Sequence, residues 1–331
     1  MFYYLPTETK LDIFKYLNYQ ELCLINQTNL YFRDFINKYE GELAKEKFNM
    51  ISLDYIDQFN KGFLIKPKAE NFDFALNEQF KENWENGLEK AIPLYSSNHG
   101  SNEDIWENGL EKAIPLYSSN HGSNEDIVIC LTKVVNIEVY IIKLPTIIKN
   151  EKDMKIVYYY LNKLFKCCFK CSHFEDFIFN PELIHLLFGK SKQFYVQNCN
   201  ISIAAYNIDI LLQFILNNLA SEFHKIYFHP NNEIMEMYKD DLFKILLSGG
   251  DNFKKVHLMF DSPGFIINFY EDIVEHIKTS KDCSKIVDNI KLENVSNLNI
   301  NFASLNEKAQ KIEEARDYMS KYQLQHLYSK N

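Results

Sequence analysis

Residues 194–201 read "FYVQNCNI", and the apolar positions in this stretch alternate as they do in a β-strand. Similar stretches are centred near Phe177, Ile226, Val256 and Ile290. The segments between them have helical apolar periodicity, in "PELIHLLFG", "NIDILLQFILNNLA", "YKDDLFKILLSGG" and "NFYEDIVEHIKTS". Strands that alternate with helices at this spacing predict right-handed crossovers and a largely parallel sheet. The predicted fold class is therefore mixed α/β.

A common spacing links four of these strands. In "FYVQNCNI" the pattern L-x-L-x-x-C-x-L begins at Phe194, and we align it with patterns that begin at Ile226, Val256 and Ile290. The spacing resembles that of the leucine-rich-repeat family, although the units here are longer and less regular. The resemblance implies a solenoid-like body over residues 151–331 that binds a target protein. The alternative is an ordinary open α/β sheet.

The side chains between the inward apolar positions predict a binding surface on the other side of the sheet. This surface is mixed aromatic and basic, which suits an acidic or phosphorylated target. We expect target binding at Tyr195, Lys225, Tyr227, Lys255, His257 and Lys291. The alternative is a second helix layer that covers this face, but three lysines are hard to bury unpaired.

The first 40 residues predict three short helices. "ETKLDIFKYL" carries a broad apolar face, Asn18 with Glu21 forms a capping-box pattern for a second helix, and Asn29 can cap a third. Three helices of this length form too small a core to be very stable alone. The module is therefore expected to bury its apolar face against a partner.

Residues 5–36, "LPTETKLDIFKYLNYQELCLINQTNLYFRDFI", resemble an F-box. The residues that match the family pattern are Leu5, Pro6, Glu8, Ile13, Leu17, Asn18, Leu22 and Phe32. The sequence departs from the pattern at Cys23, Asn26 and Thr28. The alternative is an ordinary N-terminal helical bundle.

The F-box resemblance implies a substrate receptor of a Skp–cullin–F-box ubiquitin ligase. Residues 1–45 would then bind a Skp-type adaptor and through it a cullin, and the chain itself would not be an enzyme. The residues expected to contact or support the adaptor are Leu5, Pro6, Ile13, Leu17, Leu22, Ile25 and Phe32. The alternative function is a scaffold or interaction module that is no longer coupled to a ubiquitin ligase.

Residues 84–105 recur without change as residues 106–127, inside a connecting α/β segment that we place at 46–150. Solenoid repeats diverge outside their core positions, and no third copy exists. We interpret the repeat as a segmental duplication in which one copy is surplus and forms a loop. The tail after the Ser304–Glu307 capping-box pattern predicts an amphipathic helix that closes the body.

Composition limits the classes of partner. The net charge of −9 argues against nucleic acid, because phosphate contacts need clustered Lys and Arg. No signal peptide and no 18-residue apolar span is visible, so we expect no membrane partner and a cytoplasmic or nuclear location. The seven cysteines are an odd count, which favours reduced thiols.

No catalytic, cofactor or metal site is predicted. The cluster "CCFKCSH" at 167–173 has a C-x-x-C spacing but lacks a second pair, so core cysteines are the preferred interpretation. His224 and His229 flank a strand and do not converge on one ligand. A hydrolase remains a third hypothesis, for which no nucleophile, base and orienting group can be named together.

Overall fold

The computed structural model describes residues 2–58, 63–68, 114–119, 127–133, 138–174, 177–189, 192–203, 208–261, 263–279, 284–294, 309–311 and 321–325. Within these ranges the helices are α1 (Thr7–Lys15), α2 (Tyr19–Asn26), α3 (Leu30–Lys38), α4 (Glu151–Phe165), α5 (Pro181–Phe188), α6 (Ile208–Asn218), α7 (Asn232–Met237), α8 (Lys239–Leu247) and α9 (Pro263–Thr279). Short 3-10 turns occupy Phe2–Tyr4 and Ile56–Gln58.

The strands in these ranges are β1 (Glu46–Tyr55), β2 (Phe63–Ile65), β3 (Ile114–Pro115), β4 (Tyr117–Ser119), β5 (Ile127–Thr132), β6 (Val139–Ile142), β7 (Ile147–Ile148), β8 (Cys167–Phe174), β9 (Phe177–Phe179), β10 (Phe194–Ile203), β11 (Leu219–Phe228), β12 (Phe253–Phe260), β13 (Asn289–Asn294), β14 (Ala309–Lys311) and β15 (Lys321–Gln325). Eleven of them form one sheet in the order β14-β15-β13-β12-β11-β10-β8-β1-β5-β6-β2. The strands from β1 through β8, β10, β11 and β12 to β13 are all parallel. The prediction of a mixed α/β fold with alternating strand and helix units is confirmed.

Local sequence explains where the helices begin and end. The Asn150 side chain accepts the backbone N–H groups of Lys152 and Asp153 at the start of α4. Pro181 occupies the first turn of α5, and Gly189 ends that helix with φ of 63°, a conformation that glycine adopts without steric cost. These signals set the length of each helix between its flanking strands.

One face of the sheet, which we call the inner face, forms the main hydrophobic core. Phe194, Val196, Cys199 and Ile201 all point into it and are buried. Helices α4, α6 and α9 contact the strands. The core continues from Phe48 in β1 to Leu292 in β13, so strands on both sides of residue 150 share it.

The predicted register was right between β12 and β13, where Val256 pairs with Ile290, but wrong for β10 and β11. We aligned Ile226 with Phe194, but Ile226 pairs with Ile201, and Phe194 pairs with Leu219. The inward positions of β11 that precede Ile226 are Ser221 and His224, both buried. Apolar periodicity does not mark polar residues that lie in the core. The predicted pattern therefore begins at Ile226, several residues after the true start of β11.

The helix predicted for the tail was also wrong where the tail is described. Residues 309–311 and 321–325 are strands β14 and β15, and β15 pairs antiparallel with β13. Beyond β12, strand β13 would present an unpaired edge, and β15 provides hydrogen bonds to that edge. The predicted cap at Ser304 and Glu307 lies outside the described residues.

The right copy of the duplicated segment is built into the fold. It supplies β3, which pairs with β7, and β4, which pairs with β9. Leu116, which lies between β3 and β4, and Tyr117, the first residue of β4, are both buried in the main core. The left copy, residues 84–105, lies outside the described residues, so its role as the surplus copy stays a prediction.

Candidate adaptor and target interfaces

The N-terminal module has the predicted helix starts. The Asn18 side chain accepts the N–H of Glu21 at 3.0 Å, and the Glu21 carboxylate accepts the N–H of Asn18 at 2.8 Å. The Asn29 side chain accepts the N–H of Phe32 at 3.0 Å. The capping box and the second cap are therefore confirmed, and they fix two sharp turns between α1, α2 and α3.

The module has a small core of its own, separate from the main core. Its buried apolar side chains are Phe14, Leu22, Ile36 and Leu43. The Lys10 ammonium is buried beside them and donates a hydrogen bond to the Tyr3 carbonyl oxygen at 2.9 Å. This bond ties the turn that precedes α1 to the helix.

The seven predicted adaptor residues occupy two kinds of position. Leu22 is buried in the module core, and Leu17, Ile25 and Phe32 are half-buried against it. Leu5 is half-buried, whereas Pro6 and Ile13 are exposed, with 41% of Ile13 accessible to solvent. Pro6 and Ile13 can contact a partner with most of their surface and the half-buried residues with part of it, whereas Leu22 supports the module from within.

Several large apolar side chains that were not predicted to contact the adaptor are exposed on the module. Tyr16 is 90% exposed, Leu24 66% and Leu30 63%. Tyr16 lies three positions after Ile13, so the two share one side of α1. The helical spacing of Ile13 and Tyr16 could have identified this exposed pair from the sequence. The F-box pattern instead selects Leu17, which is half-buried.

Polar contacts join the module to the sheet. The Lys166 ammonium, which follows α4, lies 2.6 Å from the Glu40 carboxylate of the module. The Tyr19 phenol at the start of α2 is close to Cys23, Glu46 and Cys167. Burial raises the pKa of Tyr19, and a hydrogen bond with Cys23 raises it further. The start of α2 therefore lies near the first residues of β1 and β8.

The other face of the sheet, which we call the outer face, carries the predicted target residues. Asn200, Lys225, His257 and Lys291 form one row across β10 to β13. Tyr227 lies in the next row, and the Lys225 ammonium sits 4.6 Å from the centre of its ring.

The remaining two predicted target residues occupy other rows of the outer face. Lys255 pairs with Phe223 and Asn289, and Tyr195 pairs with Cys168 and Ala220. The structure therefore brings the six residues to one face, but it does not place the three lysines at equivalent positions.

Exposure differs along the outer face. Lys170, Gln197, Asn200 and Lys255 are exposed, so β8, β10 and the start of β12 present side chains to solvent. Met259 further along β12 is buried. The open part of the face is thus centred on β8, β10 and the first half of β12.

A buried ionic cluster closes one end of the outer face. Both His257 Nε2 and Lys291 Nζ contact Glu293 Oε2, at 2.7 and 3.0 Å. Burial alone would raise the pKa of Glu293, but the two hydrogen bonds outweigh it and lower the pKa to about 2. Burial lowers the pKa of His257, so its neutral ring donates to the carboxylate. Lys291 therefore neutralises Glu293 and is not a free cation for a ligand.

A second polar cluster lies in the open part of the face. The Tyr195 hydroxyl donates to Glu222 Oε1 at 3.0 Å, and the Lys254 ammonium lies 3.8 Å from the same oxygen. The hydrogen bond from Tyr195 lowers the pKa of Glu222. Among the described residues, no carboxylate forms an ion pair with Lys225 or Lys255. These two predicted cations differ in this respect from Lys291, which is paired with Glu293.

The cysteine cluster at 167–173 lies along strand β8. Helix α4 ends at Phe165 and β8 begins at Cys167, so Cys168, Cys171 and His173 follow one strand. The described residues contain no group of three His, Cys, Asp or Glu side chains that could hold a metal ion. The described helices also include none with the length and apolar character needed to cross a membrane.

Comparison with known proteins gives one match. A family model described as "Domain of unknown function (DUF8381)" matches residues 65–105 and 100–229, which together span just under half of the chain. The first match ends at the last residue of the left copy of the duplication, and neither match reaches the N-terminal module. No curated protein and no solved structure matches the chain.

Proposed function

We propose that the protein is the substrate receptor of a Skp–cullin–F-box ubiquitin ligase, with the N-terminal module as the adaptor-binding part. The observation that carries the proposal is the exposure of Ile13, Tyr16, Leu24 and Leu30 on a three-helix module with an F-box-like sequence. Exposed apolar side chains that cluster on one surface mark interaction sites, and Ile13 and Tyr16 share one side of α1. A partner that covers them would also stabilise a module whose own core is small.

The mechanism that this function implies is proximity. The receptor holds a target protein near the charged enzyme that the cullin recruits, and this raises the effective concentration of the target lysine. No chemical step falls on the receptor in this role. The ion pair between Lys166 and Glu40 connects the module to the sheet, so a target held on the outer face would keep a limited range of positions relative to the adaptor.

The adaptor prediction is tested best at exposed positions. We expect Ile13→Asp combined with Leu24→Asp to weaken binding of a purified Skp-type adaptor at least a hundredfold, because two charges would be buried without partners. The measurement is isothermal titration calorimetry on the full chain. Changes at Leu17 or Leu22 are less informative, since both pack in the module itself.

A matched control variant is Thr9→Asp combined with Gln20→Asp, which adds the same charge at exposed polar positions of α1 and α2. We expect this variant to bind the adaptor within a few-fold of the wild type. Absence of binding by the wild-type chain at micromolar adaptor would contradict the ligase assignment. It would favour the alternative, a scaffold that is not coupled to a ligase.

The same proposal assigns target capture to the open part of the outer face. Lys225 and Lys255 project from neighbouring strands there and can attract an acidic or phosphorylated segment. Phe223, which pairs with Lys255, and Tyr227, beside Lys225, add apolar contact area. Aromatic anchors beside cations are typical of energetically important interface residues.

Charge reversal at this face has a predicted outcome. Lys225→Glu combined with Lys255→Glu should reduce capture of co-purifying targets at least tenfold while thermal stability and adaptor binding stay unchanged. Lys291 is left in place, because its replacement by Glu would put a second carboxylate against the buried Glu293. Quantitative mass spectrometry of the captured proteins measures the change.

The control for charge is Lys149→Glu combined with Lys152→Glu, which alters two exposed lysines at the start of α4. This variant has the same net charge as the outer-face variant. If both variants lose targets equally, net charge explains the effect, and the outer face is not the recognition surface. If neither loses targets, recognition lies elsewhere on the chain.

A further inference from the structure

Three polar residues converge at the carboxyl edge of the parallel sheet. Ser202 is the penultimate residue of β10, His229 follows the end of β11, and Asp261 follows the end of β12. The three strands are neighbours in the sheet. In open parallel sheets, ligands bind outside the carboxyl ends of the strands, because successive strand ends and their loops meet there.

The contacts form a continuous relay. Ser202 Oγ lies 3.0 Å from His229 Nε2, and His229 Nδ1 lies 2.9 Å from Asp261 Oδ2. A carboxylate can only accept a hydrogen from Nδ1, so the neutral ring carries its proton there. Nε2 is then an acceptor, and the Ser202 hydroxyl donates to it. This is the arrangement of a serine nucleophile, its general base and the carboxylate that orients the base.

We propose that Ser202, His229 and Asp261 form an acyl-transfer site. Ser202 Oγ attacks the carbonyl carbon of an ester, and its proton moves to His229 Nε2 as the new C–O bond forms. The tetrahedral intermediate collapses, the bond to the leaving alkoxide breaks, and that oxygen takes the proton from Nε2. Water then attacks the acyl-serine with the same base and releases the carboxylic acid.

The surroundings define the class of substrate. About half of the His229 side chain and 45% of the Asp261 side chain are exposed, so the base and its carboxylate face solvent. A small or extended ester fits such an open site better than a substrate that needs a deep pocket. An open site excludes less water from the reacting groups than an enclosed one, so we expect slow turnover.

Lys225 is the cation on the strand beside Ser202, and it lies on the same face of the sheet. Its ammonium is held over the ring of Tyr227, and Tyr227 is the residue of β11 that pairs with Ser202. Lys225 lies one row before Tyr227 on the same face of the sheet. We assign it to stabilising the negative charge that develops on the carbonyl oxygen.

The test is covalent labelling of the full chain with a fluorophosphonate probe, together with hydrolysis of p-nitrophenyl acetate. The wild type should be labelled on the peptide that contains Ser202, and Ser202→Ala should abolish that adduct. His229→Gln and Asp261→Asn should each slow labelling at least tenfold, and Asp261→Glu should restore part of the rate, as expected for a residue that acts by positioning the base.

Controls separate a real site from nonspecific reaction and from misfolding. Ser248→Ala and His185→Gln alter an exposed serine and an exposed histidine elsewhere, and we expect both to be labelled at the wild-type rate. Thermal melting confirms that each variant is folded. A wild-type chain that is not labelled, or an adduct on another residue, would overturn the proposal. Equal labelling of Ser202→Ala and Ser248→Ala would do the same. None of these results depends on adaptor binding.

Discussion

Leu116→Asp should unfold the protein at room temperature, whereas the same change at Leu94, its counterpart in the identical left copy, should leave stability unchanged. Leu116 is fully buried between β3 and β4. Its N–H donates to the Thr146 carbonyl oxygen at 2.8 Å, and its own carbonyl accepts from the Asn180 N–H at 2.9 Å. An unpaired carboxylate there costs several kcal/mol, which is about the whole stability of many domains.

The two positions form a controlled pair because their local sequences are the same over 22 residues. Any difference in stability between the variants therefore comes from the place of each copy in the fold and not from local propensity. A milder pair, Leu116→Ala and Leu94→Ala, keeps both proteins measurable. We expect a loss of about 2–5 kcal/mol for the first and less than about 0.5 kcal/mol for the second.

Urea unfolding followed by circular dichroism gives both free energies of unfolding. Equal destabilisation by Leu94→Ala and Leu116→Ala would mean that both copies contribute to the core, and the interpretation of one copy as surplus would be wrong. Deletion cannot make this distinction, because removal of either copy produces the same polypeptide. The point substitutions are therefore the decisive experiment.

The sequence was sufficient for those parts of the fold that depend on local chemistry. Asn18 with Glu21, and Asn29 with the helix that follows it, were identified because a cap depends on residues three positions apart. The strand and helix alternation was predictable because apolar periodicity differs between the two elements. The register of β11 was not predictable, since His224 and Ser221 hold inward positions that apolar periodicity does not mark.

The candidate sites show a similar division. The outer-face residues were identified from period-two alternation, but the ion pair of Lys291 with Glu293 depends on a contact within a buried cluster. Ser202, His229 and Asp261 are separated by 27 and 32 residues, and only the adjacency of three strands brings them together. No spacing in the sequence marks that convergence, because the connecting segments between the strands vary in length.

His224 predicts a loss of stability in mild acid. Its ring is fully buried on the inner face, 4.9 Å from the centre of the Phe253 ring. Nδ1 lies 3.3 Å from the Ser221 hydroxyl, and no described residue hydrogen-bonds to Nε2. Burial lowers the pKa of His224 to about 3, well below its ordinary value of about 6.5.

The direction of the effect follows from proton binding. Below about pH 6.5 the unfolded chain protonates this histidine while the folded protein keeps it neutral, so protons favour unfolding. The contribution of His224 is constant at higher pH and falls by up to about 1.4 kcal/mol per pH unit as pH decreases from about 6.5 towards 3. The carboxylates of the protein titrate in the same range. The informative quantity is therefore the difference in free energy of unfolding between the wild type and a variant that lacks His224.

His224→Met replaces the ring with an apolar side chain of similar size that cannot take up a proton. The free energy of unfolding of this variant, measured by urea titration at pH 7.5, 6.0, 5.0 and 4.5, should fall less steeply than that of the wild type. The curves should diverge by about 1–2 kcal/mol between pH 7.5 and 5.0. His185→Gln, which alters an exposed histidine on α5, should follow the wild-type curve. Parallel curves for the wild type and His224→Met would mean that the buried ring accepts a proton without unfolding. The inner face would then have to open to water at β11, because no described residue offers Nε2–H an acceptor.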